Sequence, residues 1–169
     1  IVKLKETKGV ILVRNISNFR FRINVFYQKK LLALSFHYIP GVIKSFNDLG
    51  LPEVCRNFIE ATSGLLIIAG VYNSGKTTTA AALIEEINKT KALNIITIED
   101  PIEYLVISKN SLIMQRQIGV DVNTVADALD YCLSEDVDVV YINEIKDDQV
   151  FNSAMLKIFE LASGNCLVI

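Results

Sequence analysis

The sequence predicts an α/β fold: an open parallel sheet with helices between its strands, preceded by a small antiparallel sheet. Two observations carry this. Residues 10–39 read as three consecutive strands separated by turn residues, with no helical period. From residue 64 onward, short apolar runs alternate with helical segments, and the runs end in polar residues. Uniformly apolar strands belong to sheets covered on both faces.

The elements follow in order. Residues 10–16 and 19–27 have strand character. The second alternates Phe19, Phe21, Ile23 and Val25 against Arg20, Arg22 and Asn24, the period of a half-buried strand. Asn15 to Asn18 supply the turn, and 31–39 is the third strand. Pro40-Gly41 ends this sheet. Residues 42–51 read as a linker, and Pro52 opens a helix over 52–62. The expected domains are therefore 1–40, a connecting 41–62, and 63–169. In the last, 64–69 is a buried strand and 77–89 a helix, with Leu83 and Ile87 four apart. Residues 94–98 are a buried strand and 111–115 a short one. A helix over 124–134 starts on Thr124 as cap, with Asp127 three residues later in the manner of a capping box. Residues 137–142 are a strand, 148–162 a helix and 166–169 the next strand.

Composition narrows the class. Of 169 residues, 51% are apolar, enough for a hydrophobic core, and 21% are charged, as in ordinary soluble proteins. The net charge of -2 hides an asymmetry. Residues 1–30 carry Lys3, Lys5, Lys8, Arg14, Arg20, Arg22, Lys29 and Lys30 against Glu6 alone. Residues 97–148 carry twelve acids against Lys109, Arg116 and Lys146. Such faces can meet between domains or subunits, or can both be solvated. The acidic region offers no extended basic track, so no nucleic-acid partner is expected. Cys55, Cys132 and Cys166 lack metal-ligand spacing and read as buried thiols of a reducing compartment. No run reaches the roughly 18 apolar residues of a membrane span. The expectation is a cytoplasmic chain, not an integral membrane protein. It opens on Ile1 and ends in the apolar run 166–169, as a piece of a longer protein would.

Residues 70–77, GVYNSGKT, fit the phosphate-binding pattern G-x-x-x-x-G-K-[ST] in full, between a predicted strand and a predicted helix. In that context the backbone N–H groups of Gly70, Asn73, Ser74 and Gly75, with the helix start at Thr78, surround a nucleotide phosphate. Lys76 bridges the β- and γ-phosphates, and the Thr77 hydroxyl reaches Mg²⁺. ATP with Mg²⁺ is the expected ligand.

Two further strands end in acids. Glu144 follows 137–142, where a carboxylate polarises the water attacking a γ-phosphate, or else is a solvated strand end. Glu99, Asp100 and Glu103 surround Pro101. Glu99 and Glu103 can organise metal or water. Alternatively, the cluster can form a loop surface that binds a neighbouring arginine, with Asp100 capping the turn. Arg20 and Arg22 share a strand face and are candidates to reach a neighbouring subunit's γ-phosphate. The lone His37 is given no chemical role.

These motifs together resemble the ATPases of type II secretion and type IV pili, most nearly the pilus retraction type. The stretches are FRFRINVFYQ (19–28), HYIP (37–40), LGLPEV (49–54), GVYNSGKTTTAAAL (70–83), INKT (87–90), ITIEDPIEY (96–104), QRQIG (115–119) and VDVVYINEIKD (137–147). The resemblance implies a PAS-like domain ending near residue 40 and the first part of a RecA-like ATPase domain. It also implies a hexameric motor acting at the inner-membrane face on a platform protein. It puts the acidic box on 98–103 with Glu99 and Glu103, the Walker B glutamate on Glu144, and the nucleotide-directed arginines on Arg20 and Arg22.

The chain departs from that pattern at several positions. Val71-Tyr72-Asn73 replace Pro-Thr-Gly, Asn143 replaces Gly, and Lys146 and Ser134 replace Arg. His37 replaces another Arg, and Asn165 replaces the first histidine of a histidine box. Asn73 enters a left-handed backbone more readily than most residues. Lys146 lacks the planar fork of arginine. Nucleotide binding with weak or lost hydrolysis is therefore the alternative expectation.

Overall fold

A computed structural model describes residues 2–145 and 148–169. The described chain divides into two compact units. One comprises residues 1–42 with 101–105, the other 43–100 with 106–169.

The first unit opens with α1 (Val2–Thr7), which sequence inspection missed. Its sheet is an antiparallel meander of β1 (Gly9–Ile16), β2 (Phe19–Gln28) and β3 (Leu31–Ile39), in that order. Tight turns set the register, with Ile16 opposite Phe19 and Gln28 opposite Leu31. Ser17, Lys29 and Lys30 take the positive φ such turns demand. The expected burial of β2 is partly inverted. Ile23 is buried, but Phe19 is 56% exposed, while Arg20 and Arg22 are half-buried. Phe19, Phe21, Phe36 and Tyr38 form an aromatic ladder, edge-on at Phe19–Tyr38 and Phe21–Phe36 and tilted at Phe21–Tyr38. The arginine face covers residues 102–103 instead of facing water.

The second unit begins with α2 (Phe46–Leu49), in a stretch expected to be a linker. Ser45 and Asp48 form a complete capping box, and Gly50 closes the helix at φ 63°. The expected helix over 52–62 is instead a 3₁₀ turn, Glu53–Arg56, and the single-turn α3 (Asn57–Glu60). Five parallel strands follow: β4 (Gly64–Leu65), β5 (Asn94–Glu99), β6 (Leu112–Gln117), β7 (Val139–Ile142) and β8 (Leu167–Val168). Between them lie α4 (Lys76–Thr90), α5 (Val125–Ser134) and α6 (Asp148–Ser163). The strand order is β4-β8-β7-β5-β6. The apolar run 64–69 pairs as a strand over two residues only, plus one bond from Leu66 N–H to the Val168 carbonyl. Thr124 caps α5 by accepting from Asp127 N–H, one half of the expected box.

Alternation along β5 and β7 builds two cores. Ile95, Val139 and Tyr141 face α4, packing on Ala80, Leu83, Ile84 and Ile87. Ile96, Ile98 and Val140 face α5 and α6, packing on Leu129, Ala154 and Ile158. Because all five strands are parallel, their carboxyl ends lie along one edge, where ligands bind in such sheets.

Candidate functional site

The loop between β4 and α4 carries the phosphate-binding motif. Asn73 adopts φ 62° and Gly75 φ 100°. Asparagine is therefore a workable substitute for glycine at 73. At Gly70 a Cβ would lie 2.6 Å from Ser74 Oγ, so a side chain there would require the Ser74 hydroxyl to turn away. Ser74 N–H donates to the Val71 carbonyl at 3.2 Å and closes the loop.

Helix α4 starts on Gly75 with no side-chain cap and no acid in its first turn. A helix of 15 residues thus presents uncapped N–H groups and a partial positive charge toward the loop. Lys76 Nζ donates to the carbonyls of Gly70 and Val71, at 3.1 and 3.0 Å. The lysine is held inside its own loop, and Thr77 is the second helical residue. These features fit a phosphate ligand: a closed loop, an open helix start and a local cation. Tyr72 is 83% exposed at the loop tip.

Asn143 and Glu144 follow β7 on the same edge. Strand spacing puts β7 roughly 10 Å from β4 and β5 roughly 14 Å from it. Of Glu99 and Glu144, the latter therefore follows the strand nearer to β4 in the sheet. Glu144 is exposed. Asn143 N–H donates to the Ile98 carbonyl at 3.1 Å, and its Oδ1 accepts from Tyr141 Oη at 2.8 Å. The residue before Glu144 is thereby tied to the sheet. Lys146 lies outside the described residues.

Glu99 ends β5 and is 4% exposed. Its Oε1 accepts from Thr97 Oγ1 at 2.7 Å and from Gln115 Nε2 at 3.1 Å. Glu103 belongs to the other unit. There its Oε1 accepts from Arg22 at 2.6 Å, while Arg20 donates to the Glu103 carbonyl at 2.6 Å and the Ile102 carbonyl at 2.8 Å. In this structure the Glu103 carboxylate is paired with Arg22. Among the described residues no three His, Cys, Asp or Glu side chains form a metal-binding group.

The comparisons with known proteins bear on the whole chain. Residues 43–158, more than half of it, match the model of a family described as "Type II/IV secretion system protein". The chain belongs to the type II/IV secretion system protein family. Among curated relatives of this secretion family, the chain is 38% identical over 136 residues to a twitching motility protein of Neisseria gonorrhoeae. It is 36% identical over 136 residues to the type IV pilus retraction ATPase PilT of Pseudomonas aeruginosa. Each match takes in 80% of this chain, but only 36% and 40% of the relative. A crystal structure of the pilus retraction motor PilT with bound ADP matches with TM-score 0.87 and 38% identity, over 99% of this chain and 48% of that one. The Legionella pneumophila ATPase DotB, at 21% identity and TM-score 0.83, shares the fold. Nucleotide binding is what membership of the secretion family implies.

Sequence inspection missed the partners of Glu99 and Asn143. Thr97, Gln115 and Tyr141 hydrogen-bond to Glu99 and Asn143. The available signal was a polar run, Gln115-Arg116-Gln117, ending a strand beside one that ends in Glu99.

Proposed function

We propose that this chain is part of an ATP-hydrolysing motor that drives pilus retraction or a related secretion step. The single observation behind this reading is a shared sheet edge. An uncapped helix start, a closed phosphate loop and Glu144 occupy the carboxyl ends of parallel strands in one unit. Lys76 leaves the Gly70 and Val71 carbonyls to meet the β- and γ-phosphates. The first-turn N–H groups of α4 hold the phosphate oxygens. Glu144 orients the attacking water and takes up its proton. Thr77 would supply the protein hydroxyl to Mg²⁺ bound with ATP, and Glu99 would act on that ion through water; the chemistry the ion would supply is neutralisation of phosphate charge. Such an ion keeps several waters, so it needs no cluster of protein carboxylates.

Residues 1–40 then form the end of a PAS-like domain, and 63–169 the first part of a RecA-like ATPase domain. Arg20 and Arg22 hold residues 102–103, and contact with nucleotide requires Arg22 to release Glu103. The whole protein assembles as a hexamer on the cytoplasmic face of an inner-membrane platform protein. Among the described residues no helix is long and apolar enough to cross a membrane.

The test is Mg²⁺-dependent ATP hydrolysis by the complete, size-fractionated assembly, beside Lys76→Ala and Glu144→Gln. Each substitution should lower kcat by about 100-fold or more, as loss of a charge-stabilising group does. An assembly that binds ATP without turning it over would instead be a nucleotide-binding regulatory subunit.

A further inference from the structure

Gln115 lies on β6, opposite Thr97 of β5. Ile113, two residues earlier on the same strand face, packs into the apolar core against α4. Gln115 interrupts that apolar face with an amide. Its Oε1 accepts from Val106 N–H at 2.9 Å, and its Nε2 donates to Glu99 Oε1 at 3.1 Å. The backbone N–H of Val106 only donates, so it dictates which end of the amide faces it. The NH₂ group must then face Glu99. Thr97 Oγ1 reaches the same carboxylate oxygen. Oε1 of Glu99 is thereby pinned as an acceptor from two sides.

Val106 has a particular place in the chain. After Asp100 the chain contributes residues 101–105 to the first unit, and at Val106 it re-enters the second. Arg20 and Arg22 grip residues 102 and 103 within the first unit. The Val106 N–H, three residues beyond Glu103, is held by the Gln115 side chain.

We propose that Gln115 is a positioning residue that orients the Glu99 carboxylate and makes that orientation depend on how residues 101–105 are seated. This rests on the motor reading, in which Glu99 organises water around the bound metal. A displaced 101–105 segment pulls the Val106 N–H from Gln115, the amide turns, and Glu99 loses the Gln115 donor on Oε1. Turnover is then conditional on the arginine grip, with no need for Arg20 or Arg22 to touch nucleotide.

Two variants of the complete assembly separate the two ends of the amide. Gln115→Glu keeps an acceptor for Val106 and sets a second carboxyl against Glu99 in place of the amide donor. Gln115→Met removes both the acceptor and the donor. Gln115→Glu should lower kcat about 10- to 100-fold, the usual effect of losing a group that orients a metal or water ligand. KM for ATP and ADP binding should stay at wild-type values. Hydrogen exchange at the Val106 amide should remain slow in Gln115→Glu and become fast in Gln115→Met. Wild-type kcat in Gln115→Glu would overturn the proposal. So would a joint loss of kcat and ADP binding in both variants, which marks a folding defect. A wild-type assembly with no turnover at all would sink the motor reading and this role with it. Slow Val106 exchange there identifies that outcome as a failure of function rather than of the bridge.

Discussion

The two units cover their sheets differently. In the first, strands adjacent in sequence are adjacent in the sheet, and of their residues only Ile23 and Ile39 are buried. In the second, neighbouring strands come from distant parts of the chain, and both faces are covered by helices. Glu99 and Glu103 lie four residues apart and fall on opposite sides of this division. One is buried among Thr97 and Gln115, the other is paired with Arg22. Acids that form one motif along the chain therefore answer to two different environments.

This contrast is open to measurement. The largest effect is expected in the second unit. Ile96 is fully buried, and Ile96→Ala should destabilise that unit by about 4 kcal/mol through lost burial and a residual cavity. Ile11 is 49% exposed on β1, and Ile11→Ala should stay within about 0.5 kcal/mol. Urea midpoints of the full-length protein report both, and similar shifts would remove the contrast.

A smaller effect is expected at the arginine grip. Arg22→Ala leaves the Glu103 carboxylate, whose side chain is 10% exposed, without its cation. Arg22 itself is 28% exposed, so the loss should be about 2 kcal/mol rather than the larger value of a fully buried pair. Faster hydrogen exchange confined to residues 101–105 is the expected readout. Adding Glu103→Gln should recover part of the loss, because the uncompensated charge is gone.

The smallest effect concerns the thiols of the α5–α6 core. Burial pushes Cys132 up to about 11 and Cys166 up to about 12, from an ordinary 9.0. With folded values raised, their contribution to stability is fully present below pH 9.0. It is lost as pH rises toward 11 and 12, because the unfolded chain releases those protons first. Denaturation midpoints should be insensitive to Cys132→Ser and Cys166→Ser in their pH slope below 9.0. Above it, the wild type should fall more steeply than either variant.

Local chemistry made much of the fold legible. The alternation in 19–27 and the turn at 15–18 define the first hairpin of the meander, since hairpin register depends on neighbours in sequence. GVYNSGKT between a strand and a helix places the phosphate loop, since its glycines and lysine serve contacts made within eight residues. Other features were not legible. Ser45 and Asp48 form a capping box whose helix is only one turn long, too short for a periodic signal. The apolar run 64–69 reads as a full strand, but the extent of pairing depends on β8, a hundred residues away.

The candidate site divides along the same line. The amino-acid sequence by itself determined the residue types, the phosphate loop, and the strand ends that carry Glu99 and Glu144. Each of these follows from backbone geometry over a few residues. Only the tertiary structure decided the partners. It set Gln115 between Glu99 and Val106, and it turned the arginine face of β2 onto residues 102–103. A hydrogen bond is made by whichever donor the packed chain brings within about 3 Å. Strand order and chain return, not spacing in sequence, select that donor.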